Sequence, residues 1–337
     1  MIGSANGARV GITGLGVYVP ERVFTNQDLE QFVDTTDEWI VERTGIRERR
    51  FATEEQALTD IAMPAAVAAL ADAGAEASSI DLIIVATVTP DMMFPTSSAL
   101  LADSLGMPDA AAYDLLAGCT GFMYALAQAY GMVASGLSKR ALVIGGDVLS
   151  KILDWTDRST LVLFGDGAGA VVVERVDEGG FLGFELGADG GGGENLWLPG
   201  SGSRHFEDAD KLVKMNGREV FKFATRVMVS SAEKILAECG KSVDDIDVYV
   251  PHQANKRIID HAAGKLGIPA EKVVVNVDRY GNTSSGSIPL ALADAAADGR
   301  LREGELVLMT GMGAGLTWGS ALIEWTGSST KTERKAA

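Results

Sequence analysis

The chain is 337 residues long and 47% hydrophobic, enough for a sizeable core in one large domain or two. Its formal charge of −17 argues against nucleic acid and anionic membranes as partners, since both would be repelled, so an acidic partner would need a local basic patch. No apolar stretch approaches the roughly 18 to 20 residues that span a membrane. Two cysteines, Cys119 and Cys239, give no disulfide framework, and Met1 to Gly7 lacks the basic region and apolar run of a secretory signal, so the expected compartment is the cytoplasm.

In chain order, Arg9 to Pro20 reads as a strand broken by glycines and stopped by proline. Thr25 to Asp28 starts a helix, and Asp37 to Arg50 reads as a second one ending in a cluster of arginines. Trp39 and Arg43 lie four apart on its face; periodicity alone makes this a surface helix with an anchoring tryptophan. An alanine-rich helix from Leu58 to Gly74 precedes the apolar strand Ile80 to Thr87, of the parallel kind covered on both faces. After the loop Asp91 to Pro95 come a helix from Thr96 to Leu105 and a short strand from Ala110 to Leu116.

At Cys119 the chain turns abruptly from strand to helix, with Gly118 and Gly121 supplying the freedom a sharp turn needs. The helix Phe122 to Ala134 has polar side-chain atoms only at Tyr124, Gln128 and Tyr130, so it is apolar nearly all round and should be buried. A thiol at its first turn would face unpaired N–H groups and the positive end of the helix, both of which stabilise a thiolate. A free cysteine is more often a small buried hydrophobe, and Cys239, closing the amphipathic helix Ser231 to Gly240, is read so. Cys119 is taken for a nucleophile on the strength of its surroundings. Strand Arg140 to Asp147 follows.

The same order of elements recurs. Helix Ser231 to Gly240 and strand Asp245 to Val250 repeat Ala65 to Gly74 and Ile80 to Val85 at an offset of 166. At an offset of 165, Cys119-Thr120-Gly121 falls on Ser284-Ser285-Gly286 and Leu142 to Ile144 on Val307 to Met309. This gives two related α/β halves, 8–176 and 177–326, each with a nearly parallel sheet and one apolar central helix. Two such helices are most simply covered by packing them together between the sheets, a five-layer α/β/α/β/α sandwich with the site near their N-termini. Residues 177–204 read as a glycine-rich linker and 327–337 as a polar, mobile tail.

Of three histidines, His252 follows a strand directly, where open α/β sheets place ligands. His205 lies in a polar segment and His261 on an outer helix. Asn282 occupies the counterpart of the cysteine loop, as a cap or turn residue or as an uncharged donor aimed at the same point as His252. The runs Gly165 to Gly169 and Gly311 to Gly315 lead into strands rather than helices, so neither is a phosphate cradle, though their backbone N–H groups suit an oxyanion hole.

With Ala117-Gly118-Cys119-Thr120-Gly121-Phe122, Val250-Pro251-His252-Gln253-Ala254-Asn255 and Tyr280-Gly281-Asn282-Thr283-Ser284, the chain resembles β-ketoacyl-acyl-carrier-protein synthase III of the thiolase superfamily. The resemblance covers about residues 8–326 and extends to Thr35 to Ile40, Asp157-Arg158 and Thr317 to Leu322. It implies that Cys119 takes the acyl group of an acyl-CoA, that a malonyl thioester on acyl carrier protein then decarboxylates, and that the carbanion attacks the acyl-enzyme. His252 and Asn282 would stabilise the enolate, and backbone N–H groups of Cys119, Gly313 and Ala314 would hold the oxyanion. Trp39, Arg43, Arg158 and Asn255 would bind CoA, with Trp39 and Arg158 sandwiching adenine, which overturns the surface reading of Trp39. Gln253, Lys256, Arg257 and Lys222 would meet the carrier protein, and Phe94 would reach across a homodimer to close the partner's acyl pocket. No metal and no resident cofactor is implied, acyl-CoA being a substrate. Thr120, Ser285-Gly286 and Ala314 depart from the commonest pattern and put the pocket's shape, hence the starter, in question.

The first reading is a condensing enzyme that initiates fatty acid synthesis; the close variant is a relative in polyketide or other secondary metabolism. A cysteine hydrolase would also use Cys, His and Asn, but the repeated halves and the elbow on a buried helix count against it. An acyl-binding protein without activity is disfavoured by the three polar site residues.

Overall fold

The computed structural model of the chain describes residues 8–203 and 211–327. The first half builds β1 (Arg9–Tyr18), β2 (Val23–Thr25), α1 (Asn26–Leu29), α2 (Asp37–Thr44), β3 (Glu48–Arg50), α3 (Leu58–Asp72), β4 (Leu82–Ala86), α4 (Ser97–Leu105), β5 (Ala111–Leu115), α5 (Gly121–Ser135), β6 (Arg140–Asp147), α6 (Arg158–Leu161) and β7 (Gly167–Val176). The second builds β8 (Gly180–Ala188), β9 (Leu196–Trp197), β10 (Lys214–Met215), α7 (Gly217–Glu238), β11 (Val248–Pro251), α8 (Lys256–Leu266), α9 (Val277–Tyr280), α10 (Ser287–Ala297), β12 (Leu306–Gly313) and β13 (Thr317–Glu324).

Two main sheets run β1-β7-β6-β4-β5 and β11-β12-β13-β8. In the first, β4 is parallel to β5 and β6, whereas β6–β7 and β7–β1 are antiparallel. The second repeats this, with β11–β12 parallel and β12–β13 and β13–β8 antiparallel. The sheets are thus mixed rather than nearly parallel as the sequence suggested. The three-residue turn Ala314–Leu316 between β12 and β13 is far shorter than the dozen or so residues that a parallel crossover requires.

Strand alternation shows how the layers form. On β4, Leu82, Ile84 and Ala86 face one cluster and Ile83 and Val85 another; on β12, Val307 and Met309 face the first and Leu306 and Leu308 a third. The shared cluster holds Phe122, Leu126, Ala129 and Val133 of α5 with Ile288, Ala291, Leu292 and Ala295 of α10, between the inner faces of both sheets. Helix α3 covers the outer face of the first sheet, and α7 and α8 that of the second. The result is α/β/α/β/α. Each fully buried Leu, Ile or Phe contributes on the order of 1.5–3 kcal/mol, which is why continuous apolar runs can serve as strands here.

The repeat is tighter than the sequence alignment. Leu82 pairs with Ala141 and Val248 with Val307, a constant offset of 166. The turn Gly118–Thr120 before α5 likewise matches Ser284–Gly286 before α10, and Gly118 and Ser284 share left-handed φ values of 58° and 51°. The counterpart of Cys119 is therefore Ser285, not Ser284; matching Gly121 to Gly286 had shifted the alignment by one.

Other expectations change for local reasons. Helix α2 ends at Thr44 because Gly45 adopts φ 79°, and Arg49 and Arg50 belong to β3, paired with β2. The glycine-rich linker contains a full strand, β8, against β13. Helix α5 is not covered all round by the described residues, for Gln128, Gly131 and Ser135 are exposed beside the edge strand β5. His205 and the tail beyond Gly327 lie outside the described residues.

Close packing of β1 on α3 yields a test. A Cβ at Gly16 would lie 2.3 Å from both Ala65 O and Ala69 N, backbone atoms that cannot swing away. Gly16→Val should cost about 3 kcal/mol in urea unfolding. Gly264 is exposed within α8 with no described residue near its missing Cβ, and its replacement by Ala should add about 0.5–1 kcal/mol of stability in the same assay.

Candidate active site

The site forms where the two central turns face the ends of the inner strands. Gly118, at φ 58°, bends the chain out of β5 into a single tight turn, so Cys119 precedes α5 instead of occupying its first turn. Cys119 is buried, and burial pushes its thiol up to about 11; the Ser284 hydroxyl opposes this and the Asp147 carboxylate adds to it. The thiolate expected from the helix end is therefore not the resting form, because desolvation outweighs the local dipoles.

Beside it, two backbones touch. A Cβ at Gly313 would lie 2.6 Å from Cys119 N, and one at Gly118 would lie 2.7 Å from Ala314 N. Glycine at 118 and 313 is what permits the approach.

His252 follows β11 and is fully buried. Its Nδ1 lies 2.5 Å from Ser287 Oγ on the first residue of α10, while Nε2 has no hydrogen-bond partner among the described residues. Desolvation pushes its pKa down to about 3, so the ring is neutral at physiological pH. Asn282 is held like a strand residue: its N–H donates to Leu163 O at 2.8 Å and its carbonyl accepts from Gly165 N at 3.0 Å. Its Oδ1 accepts from Ser284 N at 2.9 Å, which leaves the amide NH2 to be presented.

Cys119, His252, Asn282 and Gly313 share one cleft of about 310 Å3, with Trp39, Arg43, Arg158, Asn255 and Arg257 along its walls. Arg158 stacks directly on Trp39, its guanidinium carbon 4.6 Å from the ring centre, and Arg43 lies over the same ring at 5.5 Å. As they stand, a planar base enters between Trp39 and Arg158 only by displacing the guanidinium. Asn255 caps α8, accepting from Arg257 N at 2.9 Å and donating to Arg43 O at 3.1 Å, so its amide ties α8 to α2.

Five expected site residues fall outside the cleft lining, one of them Ala314, whose N lies beside Gly118. Gln253 is buried, with its NH2 on Pro251 O and Val274 O and its Oε1 accepting from Asn276 and Val277, so it is no surface contact for a partner protein. Lys256 and Lys222 are exposed but paired with Asp260 and Glu219. Phe94 is 82% exposed on the loop after β4. Sequence reasoning missed Ser287, which orients His252, although a lone hydroxyl opening an apolar helix was a usable signal. It also missed Asp147, whose buried carboxylate accepts from Thr87 Oγ1, Val88 N and Ser285 Oγ and so spans both halves. Phe221 and Met312, which line the cleft, lie on an amphipathic face and in an apolar strand and carried no such signal.

Comparison with known proteins places these features in context. Sequence profiles of 3-oxoacyl-(acyl-carrier-protein, ACP) synthase III match residues 113–190, and those of its C-terminal part residues 236–325. A β-ketoacyl-(acyl-carrier-protein) synthase III of Desulfitobacterium hafniense is 53% identical over 94% of this chain and 98% of its own. The crystal structure of the corresponding protein of Thermus thermophilus has a TM-score of 0.90 at 51% identity, covering 94% of this chain and 100% of that one. A priming β-ketosynthase of a polyketide pathway has the same TM-score of 0.90 at 38% identity, covering 94% and 97%.

The protonation states yield a pH prediction. Alkylation of Cys119 by iodoacetamide should rise about tenfold per pH unit from pH 7 to 9.5, because the thiolate fraction does; a plateau below pH 8 would contradict a raised thiol pKa. His252 has its folded pKa below the unfolded value, so the stability it contributes is complete above about pH 6.5 and declines as pH falls towards 3.

Proposed function

The chain belongs to the 3-oxoacyl-(acyl-carrier-protein) synthase III family of acyl-transferring condensing enzymes, and from that premise we propose that Cys119, His252 and Asn282 condense an acyl-CoA starter with malonyl-acyl-carrier protein to begin fatty acid synthesis. The carrying observation is the meeting, at the base of one cleft, of a protonated thiol, a neutral imidazole with an open Nε2 and a fixed amide. Relatives at 53% identity named for this activity, against 38% for the polyketide enzyme, favour it over the polyketide variant.

A thiol held near 11 must lose its proton as it attacks. The open Nε2 of His252 accepts it, Cys119 Sγ bonds the acyl carbon, and the carbon–sulfur bond to CoA breaks, with CoA leaving as a thiol that takes the proton back. Malonyl-acyl-carrier protein then enters. Its carbon–carbon bond breaks to release carbon dioxide, and the electron pair forms an enolate whose oxygen receives hydrogen bonds from His252 Nε2–H and Asn282 Nδ2–H. The enolate carbon attacks the acyl-enzyme, Cys119 leaves as thiolate and regains a proton from solvent. The two roles need opposite tautomers of His252, so between the half-reactions Nε2 takes a proton from water entering the vacated cleft and Nδ1 gives one up. Ser287 Oγ can donate to Nδ1 or accept from it, so it supports both. Uncharged donors suit an enolate without competing for its proton.

The binding residues fit the same scheme. Trp39, Arg43, Arg158 and Asn255 would hold CoA, and Arg257, over the Phe221 ring at 5.4 Å, with Lys256 and Lys222 would supply positive charge for an acidic carrier. A homodimer is supported by the edge of β5, unpaired among the described residues, and by Met93, Phe94 and Leu116, exposed at 75%, 82% and 78% beside it, which would let Phe94 close a partner's acyl pocket. No resident cofactor is required, and among the described residues no helix is long and apolar enough to cross a membrane. The matched strand directions support reading 8–176 and 177–326 as duplicated halves.

The test separates the two half-reactions. Cys119→Ala should abolish acyl transfer from acyl-CoA while leaving the fold intact. His252→Ala and Asn282→Ala should each slow release of carbon dioxide from malonyl-acyl-carrier protein by about a hundredfold or more. Asn282→Ala should leave acylation within a fewfold of wild type, whereas His252→Ala should slow both steps. Equal loss of both steps in Asn282→Ala would contradict the assignment.

A further inference from the structure

Two hydroxyls lie across the seam where the backbones of Cys119 and Ala314 approach. Thr120 Oγ1 is 2.7 Å from Ala117 O and 2.7 Å from Thr317 Oγ1. Thr317 Oγ1 is in turn 3.0 Å from Ala117 O and 3.1 Å from Ala314 O. Thr120 belongs to the cysteine turn and Thr317 opens β13, so the pair links the halves across 197 residues of chain. Four contacts share two hydroxyl protons, so not all are made at once; whichever way the protons point, each hydroxyl has an acceptor within 3.1 Å. Thr120 is fully buried and would be costly to leave without a partner.

The segment they hold is under strain. Leu316 has φ 48°, in a region that a side chain disfavours, so the 314–316 turn needs outside support. Asp189 N supplies some by donating to Leu316 O at 3.1 Å; Thr317 supplies the rest from the site's own side. An oxyanion hole works only while its donors sit about 2.7–3.1 Å from where the oxyanion forms, and a 1 Å displacement costs about a hundredfold.

We propose that Thr120 and Thr317 form a hydroxyl brace that sets the spacing between the N–H groups of Cys119 and Ala314, making both threonines positioning residues for acylation. The brace rests on the condensing reading above. It predicts that acylation, which develops charge at that spacing, is affected far more than decarboxylation, which relies on His252 and Asn282.

Single-turnover CoA release from acetyl-CoA, carbon dioxide release from malonyl-acyl-carrier protein and Tm would be measured for wild type, Thr120→Val, Thr120→Ser, Thr317→Val and the double valine variant. Each valine variant should acylate about ten- to a hundredfold more slowly, the double variant no more slowly than the worse single one, and Thr120→Ser within about threefold of wild type. Carbon dioxide release should stay within about twofold throughout. Wild-type acylation in Thr120→Val, parallel loss of both half-reactions, or failure of serine to rescue would each overturn the brace. A wild-type enzyme that releases no CoA would instead overturn the condensing reading, and the brace with it.

Discussion

Everything in this molecule follows from two helices that have little polar surface to give to water. Helices α5 and α10 bury Phe122, Leu126, Val133, Ile288 and Leu292 in one cluster with the inner faces of both sheets. Covering them on opposite sides requires two sheets, and covering each sheet's outer face requires further helices. The five layers are the smallest arrangement that satisfies this. The helix N-termini then lie near a common axis, where the strand ends β6, β11 and β12 converge, so one set of side chains can reach a reacting atom from both halves.

The same burial governs the chemistry. It keeps Cys119 protonated and His252 neutral, so charge develops only when substrate is present. Ser287 then matters as much as the residues that touch substrate, since its hydroxyl tolerates either imidazole tautomer. On the other side of the pseudo-twofold, Ser285 stands where Cys119 does, and its Oγ lies 2.9 Å from Asp147 Oδ2 and 2.8 Å from Ala86 O, with one proton to share between them. One half presents a nucleophile against backbone N–H groups; the other uses the equivalent position to lock the halves together.

The sequence was legible wherever a local signal coincided with the packing. Thr96 and Leu105 bounded α4, β6 ran from Arg140 to Asp147 as its apolar run indicated, and His252 lay at a strand end. Legibility failed where a distant partner decides. Gln253 looked like a polar surface residue, but the buried N–H groups of Asn276 and Val277 draw its amide inward. Gly180 to Ala188 looked like a linker because its glycines leave room for close neighbours, among them Ile235 and the Trp318 ring. The thiol's acidity could not be read at all, since a helix end is local and desolvation is a property of the whole fold.

The most direct test of the account is intact-protein mass spectrometry after incubation with acyl-CoAs from acetyl to dodecanoyl, followed by mapping of the modified peptide. One acyl group per chain is expected, on Cys119, in thioester linkage released by neutral hydroxylamine. An acyl group on Cys239, or none from any acyl-CoA, would contradict it.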